Sequence, residues 1–188
     1  TVACSPFDVT FRSQSFGEVN YNWNFGDGAV GSGAVANHIF TNTGSIDSLY
    51  IVTLTASSLF NCDDVFTKTV RVHPTPLVRF TVTPLTQEFP DTTVIVTNTT
   101  SNGNWSYVWA FGDGKGSQLQ NPGSHNYSTW GNYTIQLKAS SQNCIDSAEV
   151  PILIEAPTPV ADFGDSAVGC EPLQVTFKNK TLYGQTYN

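Results

Sequence analysis

The decapeptide YNWNFGDGAV, residues 21–30, returns as YVWAFGDGKG at residues 107–116. In each copy a Trp and a Phe stand two positions apart, which places both on one face of a strand. Gly accepts positive φ and an Asp side chain bonds nearby backbone N–H groups, so the following Gly-Asp-Gly predicts a sharp turn. We interpret both copies as a structural corner, in which the Trp and Phe side chains fill the core and the chain then turns sharply. The alternative is a catalytic or phosphate-binding loop. The residues concerned are Trp23, Phe25, Gly26, Asp27, Gly28, Trp109, Phe111, Gly112, Asp113 and Gly114.

The sequence around the two corners also recurs, which indicates that whole domains are repeated. Matching landmarks follow in the same order in both copies: His38 and His125, YIVTLTASS (50–58) and YTIQLKASS (133–141), VRVHPTP (70–76) and ILIEAPTP (152–159). A third copy begins, because residues 170–188 match residues 4–22. We predict three units: 1–75, a repeat with a truncated first strand, then 76–158, and 159–188 as the start of a third repeat. The Pro-Thr-Pro segments between them predict stiff linkers.

The composition indicates an all-β protein. Only 12% of residues are charged, 39% are hydrophobic, and apolar residues alternate with polar ones in short runs, as in half-buried strands. Short strands separated by frequent turn signals favour a β-sandwich. The formal net charge of −7 argues against partners with a phosphate backbone or an anionic membrane surface.

Nothing in the sequence forms a convincing catalytic or cofactor-binding set, so we predict that this segment is not an enzyme and assign it no cofactor or metal site. His38 and His125 have no second His or Cys at ligand spacing, and we expect each ring to bond the backbone at a strand edge. Asp63-Asp64 is interpreted as a hairpin tip rather than as an acid/base pair.

The combined pattern resembles the PKD domain family. It consists of Tyr-x-Trp-x-Phe-Gly-Asp-Gly, then His-x-Phe or His-x-Tyr, then Gly-x-Tyr-x-Ile-x-Leu. The resemblance implies tandem immunoglobulin-like β-sandwiches arranged as beads on a rod. Cys-x-Pro-x-x-Val-Thr-Phe and Asn-Cys-x-Asp are similar to repeat arrays in surface proteins of gliding bacteria that use the type IX secretion system. Asn24 and Ala110 stand where the family often has Asp, which argues against a metal role.

Four cysteines suggest an oxidising, extracellular location. In the implied sandwich, Cys4 and Cys170 lie at A–B turns, and Cys62 and Cys144 lie in F–G hairpins at the other end. The A–B turn of one repeat abuts the F–G hairpin of the next. We therefore predict a Cys4–Cys144 disulfide across the first junction, with partners for Cys62 and Cys170 outside this segment. In repeat two we assign Phe89 to the position of the A–B cysteine, which this repeat lacks. The alternative pairing is Cys4–Cys62, which leaves Cys144 free.

Two further sets of residues are candidates for contacts with sugars. Trp105 and Trp130 have no Trp at the equivalent positions of the other repeat. Each side chain either stacks against a glycan or covers a domain junction or a gap in the core. Short Asp-Ser/Thr-apolar triplets resemble the O-glycosylation sites of gliding bacteria. They make Ser48, Thr92, Ser147 and Ser166 candidate acceptors.

These features favour a structural and interaction role. The expected function is a semi-rigid stalk or filament segment of a large surface protein that supports adhesion or motility. Its partners would be neighbouring repeats, like chains and surface glycans. The alternative is a spacer or carbohydrate-binding accessory module of a secreted hydrolase, which an exposed Trp105 and Trp130 on one face would favour.

Overall fold

The computed structural model describes residues 1–16, 20–60, 62–164, 169 and 175–184. Within these residues the regular structure consists of β-strands. Repeat one contains β1 (Val2–Cys4), β2 (Phe7–Arg12), β3 (Asn20–Asn24), β4 (Val30–Ser32), β5 (Val35–Phe40), β6 (Ser48–Ser57) and β7 (Asp63–His73). Asp63 and Asp64 therefore begin a strand, which corrects their interpretation as a hairpin tip.

Repeat two and the segment after it contain ten strands in the described residues. They are β8 (Phe80–Thr83), β9 (Thr86–Glu88), β10 (Thr93–Asn98), β11 (Ser106–Ala110), β12 (Gly116–Ser117), β13 (Gly123–Asn126), β14 (Gly131–Ser140), β15 (Ile145–Glu155), β16 (Phe163–Gly164) and β17 (Lys178–Asn179). β16 and β17 pair with each other at the start of the third repeat. No described helix is long or apolar enough to cross a membrane.

Each repeat packs two sheets against each other. In repeat one the larger sheet has the order β1-β7-β6-β3-β4, and the smaller sheet is the β2–β5 pair. In repeat two the larger sheet has the order β12-β11-β14-β15-β9, and the smaller sheet is β13-β10-β8. The chain is thus an all-β, tandem immunoglobulin-like protein.

The apolar residues that alternate along the strands form one core in each repeat. The core of repeat one contains Trp23, Phe25, Ala36, Phe40, Val52, Leu54, Val70 and Val72. The core of repeat two adds Phe80 and Val82 from β8 and Val78 just before it, for which the described part of repeat one has no counterpart. Both cores centre on the Trp and Phe of the repeated corner.

Two short strands that the sequence did not predict set the geometry of the junctions. β1 runs parallel to β7 with Cys4 opposite His73, and β9 runs parallel to β15 with Glu88 opposite Glu155. His73 and Glu155 are equivalent positions, so Glu88 is the counterpart of Cys4. This corrects the placement of Phe89 at the cysteine position, because Phe89 N donates to Glu155 O as Ser5 N does to His73 O.

Candidate functional site

The corner after β3 and β11 requires glycine. Gly26 and Gly112 have φ of 83° and 85°, which side chains rarely adopt. A Cβ on Gly26 would lie 2.6 Å from Ile51 O, and one on Gly112 would lie 2.8 Å from Thr134 O. The chain therefore turns directly against the backbone of the neighbouring strand.

The corner aspartate makes the same two contacts in both repeats. Asp27 Oδ1 accepts from Ala29 N at 3.0 Å, while Asp27 Oδ2 lies 2.6 Å from His38 Nε2. In repeat two, Asp113 Oδ1 accepts from Lys115 N at 3.0 Å, and Asp113 Oδ2 lies 3.0 Å from His125 Nε2. Each carboxylate thus ties its corner to a strand of the opposite sheet.

These contacts determine the ionisation of the two carboxylates. Partial burial acts to raise the pKa of Asp27, but the bonds from His38 and Ala29 outweigh it and the pKa is lowered. Partial burial also acts to raise the pKa of Asp113, but the bonds from Lys115 and His125 outweigh it and the pKa is lowered. The ionised form is the one that fits the folded corner.

Each histidine also stacks on the corner phenylalanine. The ring centroids of Phe25 and His38 are 4.2 Å apart, and those of Phe111 and His125 are 3.9 Å apart, with nearly parallel planes. The expectation that these rings bond backbone is corrected, because their partners are Asp27 and Asp113. The described residues contain no group of three or more His, Cys, Asp or Glu side chains that could hold a metal ion. The Asp–His pair acts as a clamp between the sheets.

A tyrosine strengthens the clamp in repeat two only. Tyr127 is buried, and its hydroxyl donates to Phe111 O at 2.8 Å. Burial raises the pKa of Tyr127, and the Asp113 and Tyr133 charges add to the effect. Repeat one has Phe40 at this position, so it lacks the bond.

The first junction is crossed by a covalent bond. Cys4, at the end of β1, forms a disulfide with Cys144, immediately before β15, and their Cα atoms are 5.8 Å apart. This is the pair that the topology of the implied sandwich predicted, and the Cys4–Cys62 alternative is excluded. Cys62 is an exposed free thiol.

Hydrogen bonds from both repeats hold the linker beside the disulfide. Thr75 Oγ1 donates to Ser5 O at 2.7 Å, and Ser141 Oγ donates to Pro74 O at 3.3 Å. Asn143 Nδ2 of repeat two lies 3.4 Å from His73 Nδ1 of repeat one. The linker is therefore fixed on both sides and not only by its prolines.

At the second junction a carboxylate stands in the place of Cys4 and bonds the linker. Glu88 Oε1 accepts from Thr158 N at 2.6 Å and from Thr158 Oγ1 at 2.5 Å. These two bonds lower the pKa of Glu88. Glu88 is the counterpart of Cys4. Cys4 bonds Cys144 of the next repeat, whereas Glu88 bonds the linker residue Thr158 that follows its own repeat.

The two candidate tryptophans lie in different environments. Trp105 is buried in the core of repeat two, and its Nε1 donates to Ser101 O at 2.7 Å. Of the two predicted alternatives for Trp105, the structure therefore supports the core cover and not the glycan platform. Trp130 is 45% exposed and meets Phe89 edge-on, with ring centroids 5.5 Å apart.

The remaining predicted residues are spread over the surface. Ser147 is exposed on β15, while Ser48 and Thr92 are half-buried. Ser166 and Cys170 lie outside the described residues. Ser48, Thr92 and Ser147 take no part in the contacts of the Asp–His pairs or in the Cys4–Cys144 disulfide.

A comparison with protein families gives two matches. The PKD domain model matches residues 3–74 and again residues 77–152. The chain belongs to the PKD domain family. The Asp–His clamp and the Trp-x-Phe-Gly-Asp-Gly corner are thus features of two consecutive PKD domains. A comparison with curated proteins gave no match.

A comparison with solved structures gives matches to domains of several proteins. The PKD1 domain of the Vibrio cholerae metalloprotease PrtV is 27% identical, with coverage of 43% of this chain and 98% of that one and a TM-score of 0.37. The fibronectin(III)-like modules of Clostridium thermocellum CbhA are 17% identical, with coverage of 82% and 89% and a TM-score of 0.34. Murine CEACAM1b is 13% identical, with coverage of 82% and 95% and a TM-score of 0.35.

Proposed function

We propose that this PKD array is a structural and interaction segment of a large cell-surface protein, in which it forms a semi-rigid stalk or filament that supports adhesion or motility. The observation that carries the proposal is the Cys4–Cys144 disulfide between consecutive repeats. A bond within one domain stabilises that domain, whereas a bond between two domains restricts how they move relative to each other.

The junction contacts support restricted bending. With the disulfide and the linker bonds at Thr75 and Ser141 in place, rotation about the linker requires several contacts to break together. Proline at both ends of Pro74-Thr75-Pro76 limits the φ angles through which the linker could bend. The second junction keeps the Pro-Thr-Pro linker but lacks the covalent bond, so we expect it to bend more.

The chemistry of the repeats supports a role without catalysis. The acidic and imidazole groups of the corners bond to each other and to backbone, and Asp113 and His125 keep only 8% and 10% of their side chains exposed. A general acid or base needs access to a substrate proton. The clamp therefore serves the domain itself.

An extracellular location fits both the family and the disulfide, because PKD domains are typical of extracellular proteins and disulfides persist in oxidising compartments. We extend this to export by the type IX system, display at the cell surface, and O-glycosylation at Ser48, Thr92, Ser147 and Ser166. Mass spectrometry of the native protein tests the glycans, and unmodified peptides at all four positions would contradict them.

Cys62 supports continuation of the same cross-linking scheme. Cys62 N bonds to Ser58 Oγ and Cys62 O accepts from Ser58 N, as Cys144 does with Ser141. Both cysteines therefore occupy the same place in equivalent hairpins. We infer a disulfide from Cys62 to a repeat on its N-terminal side, and one from Cys170 to a repeat on its C-terminal side. Disulfide mapping of the native protein tests this, and a free Cys62 there would contradict it.

The accessory-module alternative rests on the half-exposed Trp130 beside Phe89. Trp105 and Trp130 on one exposed face would have favoured this alternative, but Trp105 is buried. Titration of the chain with soluble chitin and cellulose oligosaccharides, with Trp130→Ala as the control variant, distinguishes the two functions. Saturable binding that Trp130→Ala abolishes would favour the accessory module.

Small-angle X-ray scattering tests the stalk directly. The oxidised chain should give a narrower distance distribution than a Cys4→Ser, Cys144→Ser variant, because the second form bends at the first junction. Cys62→Ser is the matched control, since it removes a cysteine without touching the junction. Identical profiles for the oxidised chain and the double variant would show that the disulfide does not limit bending. Electron microscopy of the native protein then tests for a beaded fibre, and a compact particle would contradict the proposal.

A further inference from the structure

The larger sheet of repeat one turns an apolar and threonine-rich surface away from the core. Side chains alternate along β6 and β7, so the odd-numbered residues of both strands point outward. Leu49, Ile51 and Val65 are 59%, 61% and 56% exposed there. Four threonines share the surface: Thr53, Thr55, Thr67 and Thr69. We refer to these seven residues, with Asp63 and Arg71 at the two ends of the β7 row, as the outer face.

Repeat two has charged groups in the middle of the equivalent surface. The cross-strand pair Thr53–Thr67 corresponds to Gln136–Glu149, whose side chains are joined by a hydrogen bond of 2.6 Å. Lys138 adds an exposed positive charge two residues further along β14. Covering that surface would remove these charges from water at a large cost in free energy. The outer face of repeat one, in contrast, can be covered without burying a charge at its centre.

The two charges of the outer face lie at opposite ends of β7. Asp63 begins the outward row, and Arg71 follows eight positions later, at about 26 Å in an extended strand. Thr67 lies midway between them. If two copies meet face to face about a two-fold axis that runs across the strands at Thr67, each Arg71 meets the Asp63 of the other copy. The row is therefore self-complementary in charge.

Arg71 is able to make this second contact. Its Nη1 lies 3.7 Å from Asp47 Oδ2, and the two side chains are 54% and 37% exposed. A guanidinium group has five N–H donors, so one carboxylate does not occupy it fully. Arg71 can thus keep Asp47 and also bond a carboxylate of another chain.

The size of the outer face determines the strength of such a contact. The neighbouring strands β3 and β4 extend the sheet with neutral outward side chains. Four strands at about 4.8 Å and eight residues at about 3.3 Å cover about 500 Å² on each copy. The total of about 1,000 Å² is at the low end for specific interfaces, so the contact would be weak and reversible.

We propose that the outer face of repeat one binds a second copy of this chain, in an antiparallel dimer that packs sheet against sheet. Removal of Leu49, Ile51 and Val65 from water drives the association, and the Arg71–Asp63 contacts fix the alignment. The two chains run in opposite directions, as they do when they extend from facing surfaces. Only this last point rests on the proposed stalk, and the dimer does not.

Sedimentation equilibrium tests the dimer. All chains carry Cys62→Ser, because the exposed Cys62 thiol could otherwise link two copies covalently. Ile51→Lys should weaken association at least about tenfold, since the contact would desolvate the lysine charge. Thr134→Lys is the matched control, because Thr134 is the exposed counterpart of Ile51 in repeat two. It should leave association unchanged, and circular dichroism checks that both variants are folded.

A charge reversal tests the alignment. Arg71→Asp and Asp63→Arg each place like charges against each other, twice in a symmetric dimer, and each should weaken association about fivefold. The chain with both substitutions has opposite charges in contact again, so it should associate as strongly as the Cys62→Ser chain. A purely structural role for Arg71 or Asp63 predicts no such rescue.

The outcomes separate the proposal from its alternatives. A dimer that Ile51→Lys weakens and Thr134→Lys does not, with rescue by the double reversal, supports it. A chain that stays monomeric up to about 1 mM overturns it. Association that Ile51→Lys leaves unchanged also overturns it, because the contact then lies elsewhere, and failure of the rescue overturns the antiparallel alignment. None of these outcomes depends on the stalk, which the scattering comparison tests separately.

Discussion

His125 and Asp113 join the two sheets of the second PKD repeat, with Nε2 and Oδ2 3.0 Å apart beneath the stacked ring of Phe111. The first repeat forms the same contact between His38 and Asp27 at 2.6 Å. One carboxylate thus holds its own turn through one oxygen and the opposite sheet through the other. Two copies with the same geometry indicate a requirement of the fold.

Removal of the corner carboxylate should destabilise repeat two more than repeat one. Asp113→Ala should lower the free energy of unfolding by about 1–3 kcal/mol, because it leaves the His125 ring and the Lys115 N–H without their acceptor. The effect of Asp27→Ala should be smaller, since 23% of the Asp27 side chain is exposed against 8% for Asp113. Urea denaturation followed by circular dichroism measures both.

Asp91→Ala is the control for these variants, because Asp91 is exposed. It should change the free energy of unfolding by less than about 0.5 kcal/mol. If Asp113→Ala were as mild as Asp91→Ala, the clamp would contribute nothing to stability.

The same carboxylates predict loss of stability in acid. Their pKa values are lowered from the ordinary value of 3.8 in the folded state, so the folded state favours the ionised form. The stabilisation is fully present above pH 3.8 and is lost as the pH falls through the lower, folded pKa. Unfolding free energies between pH 6 and pH 2 should therefore fall more steeply for the natural chain than for Asp27→Asn, Asp113→Asn. Parallel curves would contradict this assignment.

The two non-repeated tryptophans should differ sharply on truncation. Trp105→Ala should cost about 3–5 kcal/mol, because it removes a buried ring from the core of repeat two. Trp130→Ala should cost about 1 kcal/mol, the contribution of its edge contact with Phe89. Denaturant midpoints measure both. Equal losses would mean that Trp130 covers the core as Trp105 does.

Tyr127→Phe should destabilise repeat two by about 1–2 kcal/mol, because Phe111 O loses its buried donor. Repeat one has Phe40 at the position equivalent to Tyr127, so the reverse substitution, Phe40→Tyr, is a matched variant. Phe40→Tyr should be tolerated within about 1 kcal/mol if its hydroxyl reaches the carbonyl of Phe25. Thermal unfolding of the two variants tests the pair, and a neutral Tyr127→Phe would show that the bond adds no net stability.

The sequence predicted much of the fold because the repeat supplied two copies of each signal. Trp23 and Trp109 could be assigned to equivalent places, and Gly26 and Gly112 marked the turns. The Cys4–Cys144 pair also followed, since it depends on which ends of two sandwiches meet and not on atomic detail. Such features are set by chain topology and residue type.

Contacts between strands of opposite sheets were harder to predict. The Asp–His bond joins residues on different sheets, although a His that follows the corner Asp at nearly the same distance in both repeats was an available signal. Trp105 has no counterpart in repeat one, so the repeat could not show that its side chain faces the core. The counterpart of Cys4 was misplaced by one residue because only the pairing of β9 with β15 fixes that register.

The first disulfide has a mechanical consequence. Tension applied between Thr1 and the C-terminal segment passes from Cys4 directly to Cys144, two residues that are 140 positions apart. Residues 5–143, which contain strands β2 to β14, lie outside this covalent path, so their backbone cannot be drawn out while the bond is intact. Its reduction would place that length under tension, and complete unravelling would release roughly 480 Å of extended chain at about 3.4 Å per residue. The redox state of one bond thus sets the extensibility of the segment.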